Sequence, residues 1–247
     1  MKLNKFCAPI RGRNLFALAA ILAVTLPVQA SQVYFNDFES GADASWSDTS
    51  IFVTPSGRST LGAFANQVVT LTLGGLASHT SVTIVFDLFT NRTWDGNGEG
   101  CCGVDVWDLG IQGGPTLLHT TFANGGGPGE LNTQSYPGNY PADHFAPLTG
   151  ATENPYLGTG TDFVYHLSFT VPHTAGSILF DFSGSGLQGV DDENWSLDNV
   201  SVGLDAVPEP TQMSLLLAAG LVALVVRRYR PGSLQKTTAE TQPGSHQ

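Results

Sequence analysis

Positive charge is nearly absent from the middle of the chain. Residues 31–207 contain two basic side chains, Arg58 and Arg92, against nineteen acidic ones, which gives a formal net charge of −17. Because so acidic a surface repels phosphates, the composition excludes nucleic acid as a favoured partner. The surface also repels itself, and exported acidic domains relieve that repulsion by binding cations such as calcium or by working in salty media.

Cysteine is scarce as well. The 247 residues include Cys7 near the N-terminus and the adjacent Cys101 and Cys102. Three cysteines exclude a framework of several disulfides. The adjacent pair leaves three alternatives open: two thiols, a disulfide between neighbours, or a bridge to another chain, the last two requiring an oxidising location.

The usual catalytic signatures are missing from the sequence. It has no Gly-x-Ser-x-Gly elbow, no His-Glu-x-x-His, no phosphate-binding glycine loop and no cysteine with an obvious histidine partner. We therefore expect a protein that is not an enzyme. A glycoside hydrolase remains a less favoured alternative, since it needs only two suitably placed carboxylates and this chain has many.

The N-terminal 30 residues have the pattern of a signal peptide. Four basic residues, the last of them Arg13, precede an apolar run over residues 15–26, and small residues up to Ala30 form a cleavage site. About a dozen apolar residues are too few to cross a bilayer core of about 30 Å. We expect signal peptidase to release a mature chain that begins at Ser31 and is exported across the inner membrane.

The segment over residues 207–230 has three parts in a fixed order. A short motif comes first, fourteen uncharged and mostly aliphatic residues at 213–226 predict a hydrophobic helix, and a basic cluster ends the segment. The motif is Pro208, Glu209 and Pro210, and the cluster is Arg227, Arg228 and Arg230. The polar tail at residues 231–247 is expected to be disordered.

This segment resembles the PEP-CTERM sorting signal of Gram-negative bacteria. The resemblance implies a transmembrane helix that anchors the protein transiently in the inner membrane until an exosortase cleaves it. It further implies a final place on the cell surface or in the extracellular matrix, in association with exopolysaccharide and biofilm. A plain C-terminal membrane anchor is the alternative.

Helical periodicity is absent from residues 31–206, where short β-branched and aromatic runs alternate with Gly, Asn, Asp and Pro. The pattern predicts one all-β domain, and eight strands of this length favour a two-sheet, jelly-roll-like β-sandwich. The predicted strands are residues 32–38, 67–73, 81–90, 104–109, 116–122, 163–171, 177–182 and 195–204. Alternation within them places Tyr165 and Phe180 in the core and His166 in solvent.

A long loop separates two of these strands. Residues 123–161 are rich in Gly, Pro, Asn and Thr, and structureless loops of this length are uncommon unless they function or are ordered by packing. Four aromatic residues are scattered through it: Tyr136, Tyr140, Phe145 and Tyr156. They indicate either a surface that stacks on sugar rings or, as the favoured interpretation, rings that pin the loop to the sandwich.

Asp198 stands out because strand alternation puts it on the same side as Val200 and Val202. A carboxylate on the apolar side is costly unless it is paired or bound to a cation. Residues 36–41 and 195–202 resemble the two ends of jelly-roll, galactose-binding-like carbohydrate-binding modules. That resemblance implies a structural calcium held by Glu39 and Asp198 with Asp37, the alternative being that hydrogen-bond donors cap Asp198.

Two further acidic loops, residues 95–99 and 191–194, are weaker metal candidates, since the first lacks the spacing of an EF-hand and is predicted to be a turn. Taken together, the sequence predicts an exported, exosortase-sorted surface or matrix protein. We expect it to bind exopolysaccharide or another matrix component without catalysis. The alternative from a different class is a structural or adhesive protein that acts through protein contacts.

Overall fold

A computed structural model describes residues 30–54, 57–99, 102–124, 132–153, 163–206 and 210–228 of the chain. The predicted signal peptide up to residue 29, the polar tail and several predicted site residues lie outside the described residues. Those site residues are Cys101, Tyr156, Pro208, Glu209 and Arg230.

The described residues form ten strands and one helix. The strands are β1 (Ala30–Asn36), β2 (Ile51–Val53), β3 (Ser59–Phe64), β4 (Val68–Gly74), β5 (His79–Arg92), β6 (Val106–Ile111), β7 (Thr116–Thr121), β8 (Phe163–Pro172), β9 (Ser177–Ser185) and β10 (Glu193–Ala206). The helix is α1 (Pro210–Arg228).

The strands make two antiparallel sheets packed face to face. The first sheet has the order β2-β3-β10-β5-β8, with β1 also paired to β10, and the second has the order β4-β9-β6-β7. Because successive strands cross between the sheets at β3 to β4, β5 to β6 and β8 to β9, the topology is that of a jelly roll. The all-β, two-sheet sandwich predicted from the sequence is confirmed.

All eight predicted strands are present, whereas β2 and β3 were not predicted. β2 has three residues, and β3 is rich in small residues and contains Gly62. That glycine has a positive φ of 156°, and a Cβ there would collide with Ser196 of the neighbouring strand. Gly62 therefore allows β3 and β10 to lie side by side, a requirement that only the fold reveals.

Aromatic rings fill the space between the sheets. Trp107 is fully buried, with ring centroids 6.2 Å from Trp195 and 6.3 Å from Phe182. Each fully buried apolar side chain contributes about 1.5–3 kcal/mol relative to exposure. The predicted positions of Tyr165, Phe180 and His166 are confirmed, since the first two side chains are buried and the third is exposed.

Helix α1 contains the whole of the hydrophobic segment predicted at residues 213–226 and ends at the basic residues Arg227 and Arg228. Among the described residues, no helix is long and apolar enough to cross a membrane. The transmembrane helix expected over residues 213–226 is therefore not found among the described helices.

Candidate functional site

The side chain of Asp198 lies on the outer face of the first sheet, so its predicted inward orientation was wrong. The pairing of β10 with β5 shifts between Asp198 and Ser201, and Asn199 has a positive φ of 51°. This bulge inserts one extra residue and reverses the alternation. Val200 is consequently in the core, while Asp198 sits opposite Asp87 on the outer face.

Arg58 is the group that satisfies Asp198. Its Nη2 lies 2.9 Å and its Nε 3.3 Å from Asp198 Oδ2, and its Nη1 lies 2.7 Å from Glu153 Oε1. The guanidinium also covers the Phe89 ring, with its carbon 4.7 Å from the ring centroid. Burial raises the pKa of Asp198, and the hydrogen bonds from Arg58 oppose that rise. The carboxylate is therefore held by a cation of the chain itself.

The three residues predicted to bind calcium do not converge on one point. Strands β1 and β10 do pair, with Asn36 opposite Val200, as expected of the first and last strands. Glu39 Oε1, however, accepts a hydrogen bond of 3.1 Å from the backbone of Ser59, and Asp37 Oδ1 accepts one of 3.3 Å from the backbone of Glu39. Asp37, Glu39 and Asp198 are not a set whose oxygens meet within 4.8 Å. Calcium at these residues stays a prediction.

A different set of acidic side chains does come together, at one end of the sandwich. Asp95, Asp105 and Glu193 each offer a carboxylate oxygen, and these oxygens lie within 4.8 Å of one another. Their exposed fractions are 8%, 0% and 1%. Asp95 and Asp105 belong to the connection between β5 and β6, and Glu193 is the first residue of β10. We call these three residues the acidic triad.

Hydrogen bonds between backbone and side chain position the triad. Asp105 Oδ2 accepts from the backbone N–H of Asp95, and Glu193 Oε2 accepts from the backbone N–H of Gln188 at 2.9 Å. Burial, with repulsion from Asp95, raises the pKa of Asp105 to about 6. Burial, with repulsion from Asp105 and Asp95, raises the pKa of Glu193 to about 8. The cluster is electrostatically unfavourable when all three groups are charged.

The triad joins the two acidic loops that the sequence marked as weaker metal candidates. Asp95 opens one loop and Glu193 lies in the other, but Asp105 was not singled out. Its signal in the sequence is weak, because an aspartate next to a strand is common. Only the fold brings together residues that are 10 and 88 positions apart.

The long loop is pinned to the sandwich by one of its tyrosines. The ring of Tyr136 is 5.1 Å from that of Phe122 and 5.3 Å from that of Tyr165. Tyr140, by contrast, is half-buried, with its ring 6.0 Å from that of His119, and Phe145 is exposed. Pinning therefore accounts for Tyr136, while Tyr140 remains at the surface.

The outer face of the second sheet presents a row of polar side chains beside Tyr140. Asp108 Oδ1 is 2.6 Å from His119 Nδ1 across strands β6 and β7. On the other side, Thr70 donates a hydrogen bond of 2.6 Å to Asp181 Oδ1 across β4 and β9. Ser183 stands opposite Asp108 in the pairing of β9 with β6. We call this surface the polar face; its members are Thr70, Asp108, His119, Tyr140, Asp181 and Ser183.

The members of the polar face are accessible as well as ordered. The side chains of His119 and Asp108 are 45% and 31% exposed, respectively. Because Nδ1 of His119 is engaged by Asp108, Nε2 of the imidazole is the nitrogen left to contact a ligand. Carboxylate and imidazole groups next to an aromatic ring are suited to hydroxyl-rich ligands, which need hydrogen-bond partners and an apolar platform.

Cys102 is disulfide-bonded. It has a positive φ of 71°, and its carbonyl oxygen accepts a hydrogen bond from the side chain of Gln188. Since Cys101 lies outside the described residues, a disulfide between these two neighbours stays one of the alternatives that the sequence leaves open.

Comparison with known proteins finds solved structures of low similarity. No family model matches the chain, and no curated protein matches it. The K3 cleaved adhesin domain of Lys-gingipain from Porphyromonas gingivalis w83 is similar at 15% identity and a TM-score of 0.41, covering 70% of this chain and 99% of that domain.

The Agl-KA catalytic domain is similar at 12% identity and a TM-score of 0.30, covering 76% of this chain and 30% of that one. The chain thus spans about a third of that second structure. Likenesses at this level do not identify a function.

Proposed function

We propose that the chain is an exported, exosortase-sorted surface or matrix protein whose jelly roll binds exopolysaccharide without catalysis. The sequence of its two ends supports export and sorting. The polar face is the observation that carries the binding proposal, because it combines solvent-facing hydrogen-bonding groups with Tyr140 on one open sheet surface. Sugar hydroxyls would pair with the Asp108 carboxylate and the His119 imidazole while Tyr140 stacks on a ring.

The other outer face supports the same assignment by contrast. On the first sheet, Arg58 is committed to Asp198 and Glu153, and the hydroxyls of Thr83 and Thr170 are 2.8 Å apart and bonded to each other. The polar face has internal pairs as well, Asp108 with His119 and Thr70 with Asp181, but it adds the ring of Tyr140 beside the exposed His119 imidazole. The polar face therefore offers the better surface for recognition.

Binding to the exopolysaccharide of the bacterium that produces the protein tests the proposal. The full-length chain is expected to be retained by the immobilised polysaccharide, and Asp108→Ala, His119→Ala and Tyr140→Ala are each expected to weaken binding about tenfold or more. Each lost charged hydrogen bond or stacking contact is worth at least about 1.4 kcal/mol. Equilibrium binding by interferometry gives the affinities, and Thr170→Ala on the opposite face is the matched control.

Two other outcomes would overturn the assignment. Release of reducing sugar that stops when one acidic residue is neutralised would make the protein a glycoside hydrolase. No retention by the polysaccharide, together with self-association of the chain that is lost on Phe35→Ser at the exposed edge strand β1, would favour adhesion through protein contacts.

A further inference from the structure

We propose that the acidic triad of Asp95, Asp105 and Glu193 binds a divalent cation, and that calcium is the ion it fits. The site does not depend on the polar face, and either could exist without the other. It is also distinct from Asp37, Glu39 and Asp198, because Arg58 already satisfies Asp198.

An unsatisfied oxygen is the first observation that points to an ion. Asp105 is fully buried, and its Oδ2 accepts the backbone N–H of Asp95. Within the described part of the chain, no N–H or hydroxyl group reaches its Oδ1, so it has no donor while Glu193 is ionised. Buried carboxylate oxygens are almost always paired, since leaving one without a partner is strongly unfavourable. A cation between the three carboxylates would supply the missing partner.

The spacing of the triad matches a calcium shell. Calcium–oxygen bonds of about 2.3–2.6 Å place two ligands on opposite sides of the ion about 5 Å apart at most. The three oxygens lie within 4.8 Å of one another. The Asn132 amide is 3.4 Å from Asp95 Oδ1, so a turned amide would add a neutral oxygen. Bidentate carboxylates and water complete the six to eight ligands that calcium takes.

The ligand chemistry favours calcium over other common ions. The triad consists of hard carboxylate oxygens alone, whereas zinc and copper sites use imidazole or thiolate ligands. Magnesium requires a near-ideal octahedron at about 2.0–2.1 Å, and a set drawn from one loop and the start of a strand is better suited to the irregular shell of calcium.

The loop that carries Asp95 and Asp105 is held by its own backbone. The N–H of Asp105 donates to Gly96 O at 3.0 Å, and the N–H of Gly98 donates to Asp95 O at 3.2 Å. Gly98 has a φ of 69°, and a Cβ there would collide with the Gly103 carbonyl. The carboxylates are thus presented from a tightly packed frame, which lowers the entropic cost of ordering ligands around an ion.

A shared proton is the competing way to satisfy the cluster. The Glu193 carboxyl lies close enough to donate a hydrogen bond to Asp105 when it is protonated. A shared proton and a bound cation would each remove the repulsion among the three carboxylates, but only the second involves uptake of metal. The decisive experiment therefore measures ion uptake rather than stability alone.

The test is calorimetric titration of the chelator-stripped, full-length chain with calcium chloride. We expect one site with a Kd of about 10⁻⁴–10⁻³ M, typical of extracellular modules. The melting midpoint should rise by about 5–10 °C at a hundredfold excess over Kd. Asp105→Asn and Glu193→Gln should abolish both responses, and each should melt at or above the wild-type midpoint in chelator because a buried charge is gone.

Asp191→Asn is the matched control, since it removes one negative charge from an exposed position in the same acidic loop. This variant should bind calcium as the wild type does. Absence of calcium uptake by the wild-type chain, or uptake that persists in both triad variants, would overturn the proposal and leave the triad to a shared proton.

Terbium luminescence gives a second readout that locates the ion. Trp94 precedes Asp95, and its Nε1 donates to the carbonyl of Asn194, next to Glu193, at 3.0 Å. Indole excitation should therefore produce terbium emission that calcium displaces and that Asp105→Asn eliminates. Emission that is unchanged in Asp105→Asn and Glu193→Gln would show that the ion binds elsewhere.

Discussion

At the scale of single residues, Arg58 is important because it lies close to several carboxylates. It is one of two basic residues in an acidic domain, and it lies 2.9 Å from Asp198 and 3.7 Å from Asp87. Asp198 is nearly buried, so removal of the guanidinium would leave its charge without compensation. Breaking a buried pair on one side costs more than the pair contributes, because the remaining charge stays in a poor solvent.

Arg58→Met is expected to lower the free energy of unfolding by about 2–4 kcal/mol, somewhat less than for a fully buried pair because Arg58 is partly exposed. The double variant Arg58→Met with Asp198→Asn should recover part of that loss. Urea denaturation of both variants gives the comparison. If the single variant unfolds like the wild type, the ion pair does not stabilise the fold.

Strand alternation in the sequence could not show which face of the sheet Asp198 lies on. It did identify Asp198 correctly as a carboxylate that needs a partner. The bulge at Asn199 depends on long-range pairing with β5, which no local pattern reveals. The partner was also hidden, since Arg58 is 140 positions away. By contrast, His166 was placed correctly because period-2 alternation holds in β8 from Tyr165 to Pro172.

At the scale of elements, the bulge in β10 determines which side chains reach the core. Asn199 has a positive φ, and its Nδ2 donates to Asp87 Oδ2 at 2.8 Å. Asparagine tolerates this conformation better than other residues with a side chain, and glycine adopts it freely.

Asn199→Gly is expected to be more stable than Asn199→Ala by about 1 kcal/mol, the reverse of the usual order within a strand. Both variants lose the hydrogen bond to Asp87, so the difference isolates the backbone conformation. Thermal melting of the two proteins measures it. An alanine variant at least as stable as the glycine variant would contradict a left-handed residue at this bulge.

Glu99 fastens the long loop to the connection between β5 and β6. Its Oε2 accepts from the Thr133 backbone at 2.8 Å and hydroxyl at 2.6 Å, and its Oε1 is 2.8 Å from His144 Nδ1. The hydrogen bonds from Thr133 lower the pKa of Glu99 below its ordinary 4.5. A carboxyl with a lowered pKa stabilises the folded state above its unfolded pKa, and that contribution disappears as the pH falls through the folded pKa.

Glu99→Gln should therefore be less stable than the wild type near pH 7, and the difference should shrink as the pH falls below 4.5 and through the lowered pKa of Glu99. Urea midpoints at several pH values give the comparison, with the exposed Asp191→Asn as the control for a general loss of negative charge. A difference that persists unchanged into acid would mean that the carboxylate charge of Glu99 is not what holds the loop.

Element prediction succeeded where the pattern was long and regular and failed where it was short. β8 alternates over residues 165–172 and β9 over its whole length, so these faces could be derived from the sequence. β2 and β3 are short, and the glycine of β3 weakens its strand signal although the fold requires it. The polar face could not be anticipated as one surface, because its members come from four strands and a loop.

At the scale of the whole molecule, the domain limits the repulsion among its many carboxylates in two ways. Some carboxylates are paired with other groups, and the rest are spread over different parts of the jelly roll. Arg58 neutralises one buried group, the triad concentrates three carboxylates at one end, and the polar face keeps Asp108 and Asp181 at the surface. We assign each arrangement a different role: the ion pair stabilises the fold, the triad is the proposed cation site, and the polar face is the proposed surface for ligand recognition. The sandwich thereby separates its candidate sites by sheet and by end.

The central claim is that the outer face of the second sheet recognises polysaccharide. Hydrogen–deuterium exchange of the full-length chain, with and without the host's exopolysaccharide, tests it most directly because it maps protection along the chain. We predict slower exchange in β6, in β7 and in the loop around Tyr140, with no change in β5 and β8. Protection confined to the first sheet, or no protection under saturating polysaccharide, would contradict the claim.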